Sequence, residues 1–145
     1  DKFSDMALGM AYAPSIEGPY TVLNNGQPIF QVDGQGEAED PFLWKDSRGY
    51  HAIFKDHVAK FTGEKGGGVM AHSPNGIQWT IDKDPKAYSR TVEWEDGKVE
   101  MQGQLERPFL LFENGKATHA FFATMNGAGG FDNATQSWNM VIPIK

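Results

Sequence analysis

Glu39-Asp40-Pro41-Phe42-Leu43-Trp44 recurs as Glu106-Arg107-Pro108-Phe109-Leu110-Leu111, 67 residues further on. After a slip of one residue, His51-Ala52-Ile53-Phe54 recurs as His119-Ala120-Phe121-Phe122. A second echo, of roughly similar period, sets Met10-Ala11-Tyr12-Ala13-Pro14 against Met70-Ala71-His72-Ser73-Pro74, and Tyr20-Thr21-Val22 against Trp79-Thr80-Ile81. Two staggered echoes, each built from short apolar runs and glycine-bearing turns, describe one four-stranded unit used more than once. Such a unit is a propeller blade.

The fullest copy predicts strands over 41–45, 50–55, 68–72 and 77–82. Asp46-Ser47-Arg48-Gly49 and Ser73-Pro74-Asn75-Gly76 supply turn residues between them, and Glu113-Asn114-Gly115-Lys116 predicts a hairpin between strands at 110–112 and 118–123. An opening strand is expected at 6–12 and a last one at 138–142. Residues 1–35 then hold the end of one blade, 36–82 a complete blade and 104–145 most of a further one. The polar stretch 82–103 carries a loop or small hairpin with Asp96-Gly97 at its tip, and 126–130 is a glycine-rich connection. Fewer than three blades cannot close a ring, and unclosed blades leave apolar faces and strand edges bare. The expected fold is therefore all-β: a partial β-propeller of about two to three four-stranded blades, completed by another chain or by oligomerisation. The chain reads as a piece opening directly on a strand, and an unrelated β-sandwich is the rival architecture.

Composition agrees with this class. In 145 residues there are 17 glycines, 8 prolines and 12% aromatic residues, which favours strands joined by tight turns. A formal charge of −6 without any Lys/Arg cluster speaks against a nucleic-acid partner. No apolar run reaches membrane-spanning length, so no membrane partner is expected. The absence of cysteine excludes disulfides and thiolate metal sites and leaves the redox compartment open.

Asp40-Pro41-Phe42-Leu43-Trp44-Lys45-Asp46 followed by Gly49-Tyr50-His51 resembles the Asp-Pro inner strand of glycoside hydrolase families 43, 32 and 117. Glu106-Arg107-Pro108-Phe109-Leu110-Leu111-Phe112 is similar to the strand that carries their general-acid glutamate, and 16–21 and 73–79 are similar to their outer-strand entries. The resemblance covers nearly the whole chain and implies a five-bladed propeller that cleaves glycosidic bonds of oligo- or polysaccharides. Those enzymes also use an Asp on the first blade as base or nucleophile, and nothing in this sequence matches it.

Glycoside cleavage needs a protonated carboxyl for the leaving oxygen and an ionised carboxylate for water or the sugar. The resemblance implies Glu106 as general acid and Asp40 as the carboxylate that orients it and raises its pKa. The internal repeat aligns Glu39 with Glu106 and Asp40 with Arg107. Because neighbours on a strand face opposite ways, only one of Glu39 and Asp40 can point where Glu106 points unless the strand bulges. Arg107 has a fork suited to a site carboxylate or an acidic sugar. His51 and His119 occupy matching second-strand positions, and Trp44 offers an apolar face for a sugar ring, so these, with Glu39, complete the candidate substrate-binding set. Each has a plainer reading as a core aromatic, a hydrogen-bonded histidine or a structural ion pair. No metal is expected from the residues themselves; some relatives hold a calcium ion on the propeller axis, which the resemblance allows here. The rival function, from a different class, is a non-catalytic carbohydrate-binding or assembly module.

Overall fold

The computed structural model describes residues 6–30, 37–127 and 129–144. The expected boundary between residues 35 and 36 lies outside the described residues. The chain is all-β, with several antiparallel sheets, none of which closes on itself. Strands β3 (Ala38–Asp46), β4 (Gly49–Asp56), β5 (Gly68–Ser73) and β6 (Thr80–Tyr88) form a four-stranded meander. Strands β9 (Gln104–Glu113), β10 (Lys116–Met125) and β11 (Ser137–Pro143) form a three-stranded one. Two-stranded ribbons pair β1 (Ala11–Tyr12) with β2 (Thr21–Val22), and β7 (Thr91–Glu93) with β8 (Val99–Met101).

Turn chemistry sets most boundaries. Asn114 and Gly115, both at positive φ (51° and 76°), close the β9–β10 hairpin as a tight turn that matches the strand twist. The outer strand begins at Thr80 rather than residue 77, because the amides of Ile77 and Gln78 are already donated to Asn75 Oδ1. It also runs on to Tyr88. Between the pairs Ala71↔Ile81 and Val69↔Lys86 its register slips, and Pro85, which lacks a ladder donor, sits in that irregular edge. The expected opening strand over 6–12 shrinks to two residues. Its ladder continues only as isolated bonds, Leu23 N–H to Met10 O and Ile29 N–H to Leu8 O, because residues 23–26 wind into a 3₁₀ turn with Asn24 and Asn25 left-handed. The polar stretch after Tyr88 does form the small β7–β8 hairpin, with Gly97 at its tip.

Alternation gives the four-stranded sheet two apolar faces. Ile53, Met70, Phe42 and Trp44 face the three-stranded sheet, meeting Leu110, Ala120, Phe122 and Met140. Phe54, Val69 and Ala71 face the opposite way, onto Leu8, Ile29 and Phe30 of the N-terminal segment. The N-terminal segment, the four-stranded sheet and the three-stranded sheet therefore stack as successive layers. The outer face of the last sheet is left with Phe109, Leu111 and Val141 exposed.

Gly68 lies where Tyr88 crosses it: a Cβ there would collide with two carbons of the Tyr88 ring. Gly68→Ala is therefore expected to lower stability by about 1–3 kcal/mol, since overpacking forces the aromatic ring off its position. Thermal unfolding, read together with near-UV circular dichroism, checks it. An unchanged midpoint would mean that Tyr88 moves at no cost.

Candidate active site

Asp40 and Arg107 are both left-handed, with φ of 53° and 52°, and both immediately precede proline. That conformation is costly for residues other than glycine. Each sits in a bulge: the ladder slips between Glu39 and Phe42 in β3, and between Glu106 and Phe109 in β9. The two Glu-X-Pro-Phe segments are thus one structural device used twice, with Glu39 equivalent to Glu106 and Asp40 to Arg107. The bulge also relaxes the alternation rule. Glu39, Asp40 and Glu106 each bring a carboxylate oxygen within 4.8 Å of the other two, although they come from different sheets.

The centre of this group is Lys55. It projects from β4, is 2% exposed, and donates from Nζ to Glu39 Oε1 at 2.5 Å and to Glu106 Oε1 at 2.6 Å. One ammonium therefore ties the first strand of one sheet to the first strand of the next. A second tie is the Arg107 amide, which donates to Asp40 Oδ2 at 3.2 Å. His57 Nδ1 lies 3.1 Å from Glu39 Oε1. Burial pushes the Glu39 carboxyl up, but the hydrogen bonds and charges of Lys55 and His57 outweigh it and hold the group below its ordinary value.

Because the folded value is the depressed one, Glu39 contributes stability above the unfolded-state pKa, near 4.3, and this contribution fades as pH falls through the folded value. Between about pH 5 and pH 3 the wild-type chain should accordingly lose stability more steeply than Glu39→Gln. Denaturant midpoints across that window test this; parallel curves would remove Glu39 from the linkage.

Tyr88 adds a buried phenol to the neighbourhood. Its Oη has no hydrogen-bond partner among the described residues. Burial first, then the negative charges of Glu106, Asp40 and Glu39, push its ionisation well above the ordinary range for tyrosine. It stays a neutral donor.

The other candidates from the sequence lie elsewhere. Trp44 stacks on His51 with ring centroids 5.1 Å apart, and His51 Nε2 lies 2.9 Å from Asp46 Oδ1, at the hairpin end of β3 and β4. Four residues of strand separate Trp44 from Asp40, roughly 13 Å at the usual rise. His119 Nδ1 meets Thr118 Oγ1, also four residues from Ala123, the partner of Glu106 across β10. The structure therefore brings together Glu39, Asp40, Glu106 and the backbone of Arg107, and places Trp44, His51 and His119 at the far ends of their strands. Sequence reasoning passed over Lys55 and Tyr88. The signal for Lys55 was present: it interrupts a buried strand at the place where the repeat has Ala123.

Comparison of the chain with models of known protein families, with curated proteins and with solved structures found no match.

Proposed function

We propose that this chain is part of a glycoside hydrolase of propeller form, in which Glu106 protonates the leaving glycosidic oxygen and Asp40 orients it. The observation that carries the reading is the convergence of Asp40 and Glu106, distant in sequence, on the facing first strands of two successive sheets. Glu106 Oε1 is engaged by Lys55, so Oε2 is the oxygen that would carry the proton. The carboxylates stand too close together to seat an attacking water, which needs acid and base about 6.5–9.5 Å apart. Asp40 therefore suits an orienting role, and the base or nucleophile would come from a third carboxylate on the polypeptide that completes the ring.

The partial-propeller reading has its own support. Phe109, Leu111 and Phe121 on the outer face are the repeat equivalents of Phe42, Trp44 and Ile53, the side chains with which the first sheet packs on the second. A further sheet of the same unit, from another chain or a second copy, would cover them in the same way. A calcium ion on the axis would have to share Glu39 and Glu106 with the Lys55 ammonium, and no step of the reading uses one.

A second reading, a non-catalytic carbohydrate-binding or assembly module, draws on one observation. Glu106 is buried and ion-paired to Lys55, as structural carboxylates are. Hydrolysis of glycosides with alkyl leaving groups by the assembled protein, compared with Glu106→Gln, separates the two. Turnover that is absent from the wild type, or retained by the variant, would overturn the catalytic reading.

A further inference from the structure

Tyr88 carries a polar atom that the fold buries and does not pair. Its Oη is closed off from solvent and has no hydrogen-bond partner among the described residues. A hydroxyl left unbonded in an interior is costly, and native structures nearly always supply it with a protein or water partner. Phenylalanine would give the same packing without that cost.

The surroundings say what the partner is. Across the first sheet one row runs Glu39–Lys55–Gly68–Tyr88, through β3, β4, β5 and β6. Gly68 has no side chain, and the Tyr88 ring lies over it. The ring thus reaches from the outer strand back toward Lys55, and it also meets Phe122 of the second sheet with centroids 4.8 Å apart. Lys55 Nζ in turn donates to Glu106 Oε1. After burial, the charge of Glu106 is the strongest influence that raises the ionisation of the phenol. Glu39 is served by His57 as well as Lys55, and Asp40 by the Arg107 amide, whereas Glu106 has Lys55 alone among the described residues. Both sheets belong to this chain, so these neighbours do not depend on what completes the ring.

We propose that Tyr88 is a positioning residue for Glu106, its hydroxyl donating through one bridging water to Glu106 Oε2. No direct bond joins the two side chains, and a water between polar groups that stand beyond bonding distance is the ordinary solution. With Lys55 on one oxygen and the water of Tyr88 on the other, the plane of the carboxyl is fixed. Oε2 keeps a second lone pair to face a substrate, since a carboxylate oxygen accepts twice. The inference rests on the glycoside-directed reading for what the orientation serves, but it is tested by folding equilibria without substrate.

The test is a double-mutant cycle on the whole chain, read by urea unfolding at neutral pH. Tyr88→Phe keeps the ring over Gly68 and removes only the hydroxyl. It should lower the folding equilibrium constant about three- to tenfold, as loss of one hydrogen bond does. Glu106→Gln still accepts from Lys55 through its amide oxygen, but its NH₂ group then stands where Oε2 was and cannot accept. In that background Tyr88→Phe should change the constant less than about twofold. With labelled tyrosine, the Tyr88 Cζ resonance should move on Glu106→Gln, while that of Tyr50, at the far end of β4, stays in place. A Tyr88→Phe variant more stable than the wild type would show an unbonded hydroxyl and overturn the proposal. So would an equal loss in both backgrounds, which is what packing alone gives, or an unmoved Cζ resonance. If Glu106→Gln does not fold, the sign of the Tyr88→Phe effect alone decides. Absence of glycoside turnover would leave the cycle intact, so the two readings fail separately.

Discussion

Replacing Lys55 by methionine should destabilise the fold by about 3–5 kcal/mol, the usual cost of breaking a buried ion pair from one side. Methionine keeps the volume and the apolar stem. What goes is the ammonium between Glu39 and Glu106, so two carboxylates that come within 4.8 Å of each other, with Asp40 equally close, lose their shared counter-charge. Urea unfolding at neutral pH gives the number, and a companion variant shows its origin. Adding Glu39→Gln and Glu106→Gln to Lys55→Met should recover much of the loss, because Asp40 is then the one carboxylate left in the cluster. If Lys55→Met alone is harmless, the ammonium is not the bond between the two sheets.

If the protein is the glycoside hydrolase proposed above, Glu106→Gln should lower its turnover by roughly 10²–10⁴-fold, the range associated with a positioned general acid. The amide is nearly the same shape, still accepts from Lys55 through its oxygen, and has no proton to give. A substrate whose leaving group needs no protonation, such as a dinitrophenyl glycoside, should lose far less than one with an alkyl leaving group. That contrast separates an acid from a carboxylate that only shapes the site: a merely structural Glu106 would slow both substrates alike. Asp40→Asn should act in the same direction but more weakly, since Asp40 also receives the Arg107 amide, which asparagine oxygen can still accept.

The repeat in the sequence was legible because each copy keeps its own local chemistry. Proline after a left-handed residue, asparagine-glycine in the β9–β10 hairpin and alternating apolar residues act within a few positions of one another. The all-β class and the meander from β3 to β6 followed from such signals, and the β7–β8 hairpin is one of the two forms expected of the polar stretch. Strand ends were less legible. The start of β6 depends on Asn75 capturing amides, and the break after β1 depends on a turn in its partner.

The candidate site divides along the same line. That Glu39, Asp40 and Glu106 were worth watching follows from their shared Glu-X-Pro setting. The sequence left open which of Glu39 and Asp40 would join Glu106, because strict alternation admits only one. Tertiary structure admits both, through the bulge at Asp40. His51 and His119 drew attention by their matching second-strand positions and Trp44 by its apolar face, but a few residues of strand rise carry all three well away from the carboxylates.

By itself, then, the sequence determined the local devices: the doubled Glu-X-Pro unit, the turns and the two-faced strands, all set by backbone preferences and side-chain alternation over a few residues. Only the tertiary structure decided that one lysine would bind two glutamates from different sheets. That outcome depends on which side chain reaches across the gap between layers, a distance that exists only once the sheets have stacked.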